Sequence, residues 1–369
     1  MDANRESVGV LVVGAGFLGS QRAAAACIAR GTTLIGVADV DIHRAGAIAA
    51  RHGAFAVGSL EEGLLLDGVD AVVVATPHAD HVESVELALA CGKHVLCEKP
   101  LAIDADDARR LALQADEARL CLAVGFNHRF YPPIREAIGI VEAGGLGRVE
   151  GLRIQIGHHA SQEFLRGWHT DVRVSGGGTL IDNGVHACDL IRRIAGEVES
   201  VSGNIRHDPR NLDTCERDAF GLFLTLDDVV AELHSSWNLR RGYLTVDIRG
   251  DAGWLIAETA PWRLSGRLAE GRRLSRGYLA ERIAERLHRR RFGCERSLVA
   301  ELEAFAGAIR GEIGPGGNSE DGCRATEMVL GLYESARLRA EVPLAPRVAG
   351  GRGGSPQAVT VRGRTGGRA

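Results

Sequence analysis

The feature that most constrains this chain is an apolar run ending in a cluster of glycines: Val8-Gly9-Val10-Leu11-Val12-Val13, then Gly14-Ala15-Gly16-Phe17-Leu18-Gly19 and an alanine-rich segment reaching Arg30. A short run rich in valine and bounded by glycine reads as a buried strand, and the alanines that follow read as a helix. The glycines then form the turn between them. The first permits the sharp turn, the second lets backbone N–H groups approach a pyrophosphate, and the third lets helix and strand pack closely. An anion held there faces a helix N-terminus, where unpaired N–H groups and the helix dipole favour negative charge.

A second apolar strand over 33–38 ends at Asp39, twenty residues beyond Gly19. A carboxylate at that point accepts hydrogen bonds from adenosine ribose hydroxyls and repels a 2′-phosphate, which favours NAD and makes NADP the lesser expectation. Asp41 and Arg44 stand close enough to alter that balance, and a turn cap is the other reading of Asp39. Strand-like runs at 71–75, 93–97 and 121–125 alternate with helical stretches such as 82–91 and 104–118. That alternation implies an α/β fold with a parallel, doubly wound sheet, whose ligands lie beyond the C-terminal ends of the strands. Thr76-Pro77, Glu98-Lys99-Pro100 and Asn127-His128-Arg129 fall there.

Two places offer proton chemistry. Lys99 follows the strand ending at Cys97, so its ammonium can project into the crevice and polarise a substrate oxygen; a surface lysine is the alternative. In Gly176-Gly177-Gly178-Thr179-Leu180-Ile181-Asp182-Asn183-Gly184-Val185-His186-Ala187-Cys188-Asp189, read as a flexible glycine loop entering a helix, Asp182, His186 and Asp189 share one helical face. An imidazole is a natural acceptor for a hydroxyl proton, with Asp182 orienting the substrate or the ring. No metal is expected, because a D-x-x-x-H pair without a third ligand is a poor zinc signature.

Composition narrows the class. With 369 residues, 45% of them hydrophobic, the chain can bury a large core in two domains. A net charge of −4 gives no general attraction for nucleic acid or membrane, and the basic run over 282–296 reads as a solvated helix face. The longest apolar run near the N-terminus is too short to span a bilayer, so a cytoplasmic location is expected. Eight cysteines without a C-x-x-C pair indicate reduced thiols. The glycine- and arginine-rich tail, 346–369, is expected to be disordered.

Taken as a set, Val-Val-Gly-Ala-Gly-Phe-Leu-Gly, Ala-Thr-Pro-His (75 to 78) with His81, Cys-Glu-Lys-Pro-Leu-Ala (97 to 102), Gly-Phe-Asn-His-Arg-Phe (125 to 130) and the G-G-G-x-x-x-D-x-G-x-H-x-x-D run resemble the glucose-fructose oxidoreductase and inositol dehydrogenase family, Gfo/Idh/MocA, over residues 8–343. The resemblance implies an N-terminal Rossmann domain over 1–126. It also implies a C-terminal α+β domain over 127–345, whose large, mostly antiparallel open sheet serves substrate binding and assembly into a homodimer or homotetramer. Strand-like segments at 148–158, 219–226, 229–237, 244–250 and 254–258, and helices over 297–310 and 321–339, are compatible with it.

By the same resemblance, NAD is held by Gly14, Gly16, Phe17, Leu18, Gly19, Asp39, Thr76, Pro77, His81, Glu98 and Lys99. Lys99, Asp182 and His186 act on the substrate and Asn127 and Arg129 line its pocket; Trp168 and His169, from their position just before the glycine loop, either line the pocket or serve packing. The implied activity is oxidation of a ring hydroxyl of a sugar, inositol or aminocyclitol, or reduction of the ketone, in carbohydrate or aminocyclitol antibiotic metabolism. A redox-neutral NAD enzyme that removes a glycosidic substituent and a non-catalytic dinucleotide-binding regulator are the alternatives.

Overall fold

The computed structural model describes residues 7–207, 215–240, 242–312, 314 and 316–344; the tail expected to be disordered lies outside them. Strands β1 (Val8–Val13), β2 (Thr32–Ala38), β3 (Phe55–Val57), β4 (Ala71–Val74), β5 (His94–Cys97) and β6 (Leu122–Val124) form a parallel sheet in the order β3-β2-β1-β4-β5-β6. The helices between them are α1 (Phe17–Ile28), α2 (Ile42–His52), α3 (Leu60–Leu64), α4 (His81–Ala90) and α5 (Ala105–Ala118). Every residue of β1 and β4 is buried, as expected of central parallel strands covered by helices on both faces. Strand order reverses between β1 and β4, and the crevice at that reversal receives the glycine turn, Thr76 and Lys99.

The second sheet contains β7 (Val149–Gly157), β8 (Val198–Arg206), β9 (Asp218–Thr225), β10 (Val230–Ser236), β11 (Leu244–Gly250), β12 (Trp254–Thr259), β13 (Trp262–Arg267), β14 (Arg273–Gly277) and β15 (Val342–Pro343). Its order is β14-β13-β12-β11-β7-β10-β9-β8-β15, antiparallel except where β10 runs parallel to β7. Helices α6 (Pro132–Glu142), α7 (Val172–Ser175), α8 (Val185–Ala195), α9 (Leu279–Phe292), α10 (Arg296–Ile309) and α11 (Ser319–Leu338) complete the described chain. Alternating burial along β9 and β10 puts Phe223, Ala231 and Leu233 into the core and leaves Phe220, Leu222 and Val230 on an open face.

Two helices carry the C-terminal third back over the first sheet. Helix α10 packs on α1, and α11 packs on both α5 and β8. One core therefore runs unbroken from Leu11 and Val95 to Leu244 and Leu332. The basic run falls on α9, where Arg289 pairs with Glu285 and Glu295, but the same helix also exposes Leu279, Ile283 and Leu287. The arginines Arg282, Arg286, Arg289, Arg290 and Arg291 stand in solvent, as expected, with these apolar side chains exposed among them.

Candidate active site

The glycine turn has the geometry that its spacing implies. Gly14 sits at φ +95°, and a Cβ there would lie 2.5 Å from the carbonyl oxygen of Ala75. A Cβ on Gly19 would lie 1.7 Å from the carbonyl oxygen of Gly14, so α1 approaches β1 as closely as backbone allows. Gly16, the N-cap of α1, would put its Cβ into open space; it offers no capping side chain, and no acid occupies the first turn. The N–H groups at the start of α1 are left for an anion. Phe17 is 86% exposed beside them and Leu18 half-buried. Asp39 accepts the Ala15 N–H at 2.6 Å and the Asp41 N–H at 2.8 Å. Its carboxylate therefore does brace the turn, as the alternative reading had it, while keeping further lone pairs for ribose hydroxyls.

Lys99 stands at the end of β5, after a buried Glu98 and before Pro100, with the Lys99–Pro100 peptide cis. Its Nζ donates to the backbone oxygen of Asp182 at 2.7 Å and to Asp182 Oδ1 at 2.9 Å. Both acceptors face one ammonium because Leu180–Gly184 winds as a single wide π-turn before α8, a local irregularity often found at functional sites. Trp237 Nε1 and Asn183 Nδ2 donate to the other carboxylate oxygen at 3.1 Å each. Burial alone would raise the Asp182 pKa; the Lys99 charge and hydrogen bond outweigh it and hold the group well below the usual carboxylate range.

The glycines before this turn serve close packing, which corrects the flexible-loop expectation. A Cβ on Gly177 would lie 2.1 Å from the Tyr333 hydroxyl, and one on Gly178 2.1 Å from the Glu216 backbone oxygen. The buried Glu216 carboxylate accepts the N–H groups of Gly178 and Leu180, each at 2.8 Å, and the Tyr333 hydroxyl at 2.9 Å. A carboxylate borrowed from another segment thus caps the helix that carries Asp182 and His186.

His186 is buried and lies face to face with His128, ring centroids 3.7 Å apart, with Phe126 edge-on. Its Nδ1 is buried without a hydrogen-bond partner. Burial, then the neighbouring His128, Lys99 and Arg22, lower its pKa well below the ordinary imidazole value. His128, whose Nε2 meets the Tyr243 hydroxyl at 3.0 Å, is pushed down to about 3, by burial first and Lys99 second. Both rings are neutral at physiological pH.

A neutral buried imidazole binds no proton in the fold, whereas in the unfolded chain it takes one below pH ~6.5. Lowering the pH below that value should therefore destabilise the protein progressively, and thermal melting from pH 7 to 4.5 checks it. A melting temperature flat over that range would contradict buried neutral His128 and His186.

Several expected site residues are placed elsewhere. His81 is fully buried, with Nδ1 at 2.8 Å from the Pro100 carbonyl oxygen and Nε2 at 3.1 Å from that of Thr76, so it braces two loops. Glu98 turns inward to Arg22. Arg129 spends its guanidinium on Asp189, Asp321 and the Gly316 backbone oxygen, and Asn127 donates to Ser297 Oγ of α10 at 3.1 Å. These are bracing contacts, and the carboxylate of Asp189, three residues along α8 from His186, is engaged by Arg129. Thr76 and Pro77 remain half-exposed at the crevice. Trp168 stacks on His169 (4.1 Å), which stacks on Phe164 (4.2 Å), and Trp168 meets buried His78 edge-on. The charges of Asp182 and Lys99 both act on His169, so this aromatic wall adjoins the lysine.

Residues 8–126 match the family model described as "Oxidoreductase family, NAD-binding Rossmann fold", and residues 134–256 match the GFO/IDH/MocA C-terminal domain. The chain belongs to the GFO/IDH/MocA oxidoreductase family. Similar members include a 1,5-anhydro-D-fructose reductase from Ensifer adhaerens, 27% identical over 88% of this chain and 95% of that one. An inositol 2-dehydrogenase from Rubrobacter xylanophilus is 30% identical over 87% of this chain and 89% of its own. A levoglucosan dehydrogenase solved with NADH and levoglucosan shares the fold at a TM-score of 0.82, with 20% identity over 92% of this chain and 99% of that chain. Like other members, the chain is an oxidoreductase with NAD as its cofactor.

The glycine turn of this GFO/IDH/MocA member fits that dinucleotide. Because a Cβ at Gly16 meets nothing in the protein, Gly16→Ala should leave the melting temperature almost unchanged while lowering NAD affinity by about tenfold or more, through intrusion where the backbone must approach a pyrophosphate. Calorimetric titration with NAD checks it, and unchanged affinity would place the dinucleotide elsewhere.

Trp237 and Tyr243 were not singled out from the sequence, and His78 and His128 entered only within motifs, without a role of their own. One signal was available: of the 44 lysines and arginines only Lys93 and Lys99 are lysines. In a chain that otherwise uses arginine, an amine kept at the crevice marks a position where a compact point charge differs from a planar guanidinium.

Proposed function

We propose that the chain is an NAD-dependent dehydrogenase that oxidises a ring CH–OH of a sugar or cyclitol, or reduces the corresponding ketone. The observation that carries this reading is the Lys99–Asp182 pair beside two neutral stacked imidazoles, in the crevice of an NAD-binding fold. His186, held neutral, accepts the hydroxyl proton. Lys99 donates to the same oxygen as its negative charge develops, and Asp182, tied to Trp237 and Asn183, keeps the ammonium aimed. Bound NAD supplies the acceptor for the hydride leaving that carbon. The substrate class rests on this donor set, on the aromatic wall of Phe164, Trp168 and His169, and on relatives whose names include inositol, anhydrofructose and levoglucosan. Cytoplasmic work as a homodimer or homotetramer fits the same reading, and the open face with Phe220, Leu222, Val230 and Trp254 suits assembly.

The test is absorbance in the NADH band while protein and NAD are offered inositols, aminocyclitols, aldoses and nucleotide sugars. A rise with one class supports the reading; no rise in any, with NAD binding established separately, contradicts it in favour of a redox-neutral role. Cofactor choice has its own test. Asp39→Ala should narrow the preference for NAD over NADP, and an unchanged ratio would assign Asp39 to the turn alone.

A further inference from the structure

The densest buried charge not used above lies behind the Glu98-Lys99-Pro100 turn. Arg22 of α1 meets Glu98 Oε1 through Nε at 2.6 Å and Nη2 at 2.5 Å, and Glu301 of α10 at 2.6 Å. Their side chains are 0%, 7% and 2% exposed, respectively. One guanidinium between two carboxylates in so dry a place contributes little stability compared with apolar packing of the same volume, so a role beyond stability has to be sought. The three residues come from the first helix of the dinucleotide fold, the end of β5 and the returning helix α10. Glu98 immediately precedes Lys99, and its N–H is fixed to the Val74 carbonyl oxygen at 2.9 Å. Even Gly125 is shaped by the cluster, since a Cβ there would lie 2.8 Å from Glu98 Oε2 and 3.0 Å from Arg22 Nη2.

We propose that Arg22 and Glu301 are positioning residues for Lys99. Arg22 anchors the Glu98 carboxylate, Glu301 anchors Arg22, and the ammonium one residue further along is thereby held on Asp182. Burial pushes Glu301 up to about 7, with Arg22 opposing and Glu98 adding; Arg129 also acts on Glu301, and Arg22 in turn acts on His186. Glu301 therefore grips Arg22 most strongly above neutral pH, when it is ionised. The consequence for turnover rests on the function proposed above, but the anchoring has a readout of its own.

That readout uses the chain's two lysines. Lys93, whose Nζ donates to the Val69 carbonyl oxygen at 2.9 Å, serves as internal reference. The full chain is acetylated with limiting acetic anhydride, and the Lys99 to Lys93 labelling ratio is read by peptide mass spectrometry. Freeing the ammonium from a partly buried pair should raise that ratio about threefold or more in Arg22→Met, with Arg22→Lys returning it most of the way to the parent. Glu301→Gln should match the parent near pH ~6 and exceed it near pH ~8.5, because the glutamine mimics the protonated but not the ionised acid.

A purely structural role would lower melting temperature without moving the ratio or its pH dependence. Unchanged ratios in Arg22→Met and Glu301→Gln would overturn the proposal. Should Arg22→Met not fold, Glu301→Gln decides alone, an unchanged ratio at the higher pH being the overturning result. Changed ratios together with no polyol turnover in the parent would sink the proposed function and leave the anchoring in place.

Discussion

Lys99→Ala lowers kcat about 10²- to 10⁴-fold while the NAD dissociation constant stays within a few-fold of the parent. The Lys99 ammonium meets the Asp182 backbone oxygen at 2.7 Å and Oδ1 at 2.9 Å, and on the function proposed above its removal takes away the donor for the substrate oxygen. Asp182 would then keep only its contacts with Trp237 and Asn183, a half-buried carboxylate without its counter-charge. Lys99→Arg should rescue little, because a broad, planar guanidinium does not reproduce the donor geometry of a compact ammonium. Steady-state kinetics with the substrate found by the NADH screen, beside calorimetric NAD titrations, check both variants. A loss confined to KM would make Lys99 a binding residue only.

The second large effect belongs to His186. His186→Ala should cost about 10²- to 10⁴-fold in kcat, the range for losing a general base, with NAD affinity retained. Its pH signature follows from the site. Burial and the face-to-face contact with His128 keep the ring neutral, so the base is in its accepting form across the physiological range. A group with a lowered pKa loses its competent form only as pH falls through that lowered value. The acid limb of kcat/KM should therefore lie below the ordinary imidazole value of ~6.5. A limb at or above that value would place the acceptor proton elsewhere.

The dinucleotide half was legible because its signals are local. A valine-rich strand, three spaced glycines and an alanine-rich helix are contiguous, and β1 begins and ends where the apolar run does. The partnership of Lys99 with Asp182 spans 83 positions, and no spacing rule predicts it; it was reachable only because each lies in a recognisable motif. Trp237 and Tyr243 escaped notice because they stand at the ends of β10 and β11, which the second sheet brings to the crevice from far along the chain. For Arg129 and Asn127 it was the partners that spacing could not declare. A polar residue beyond a strand end has the right location for ligand binding, but its partners, Asp189 and Ser297, come from helices whose packing the sequence does not declare. Glu216 shows the same limit, since a helix cap borrowed from more than thirty residues away leaves no capping motif.

The most direct test of the account follows one hydrogen atom. The substrate found by the NADH screen is prepared with deuterium on the reacting ring carbon, turned over with NAD, and the reduced cofactor is weighed by mass spectrometry. Direct hydride transfer in the Lys99, Asp182 and His186 site predicts a cofactor one mass unit heavier, with none of the label in water. Label in the solvent and unlabelled NADH would contradict it.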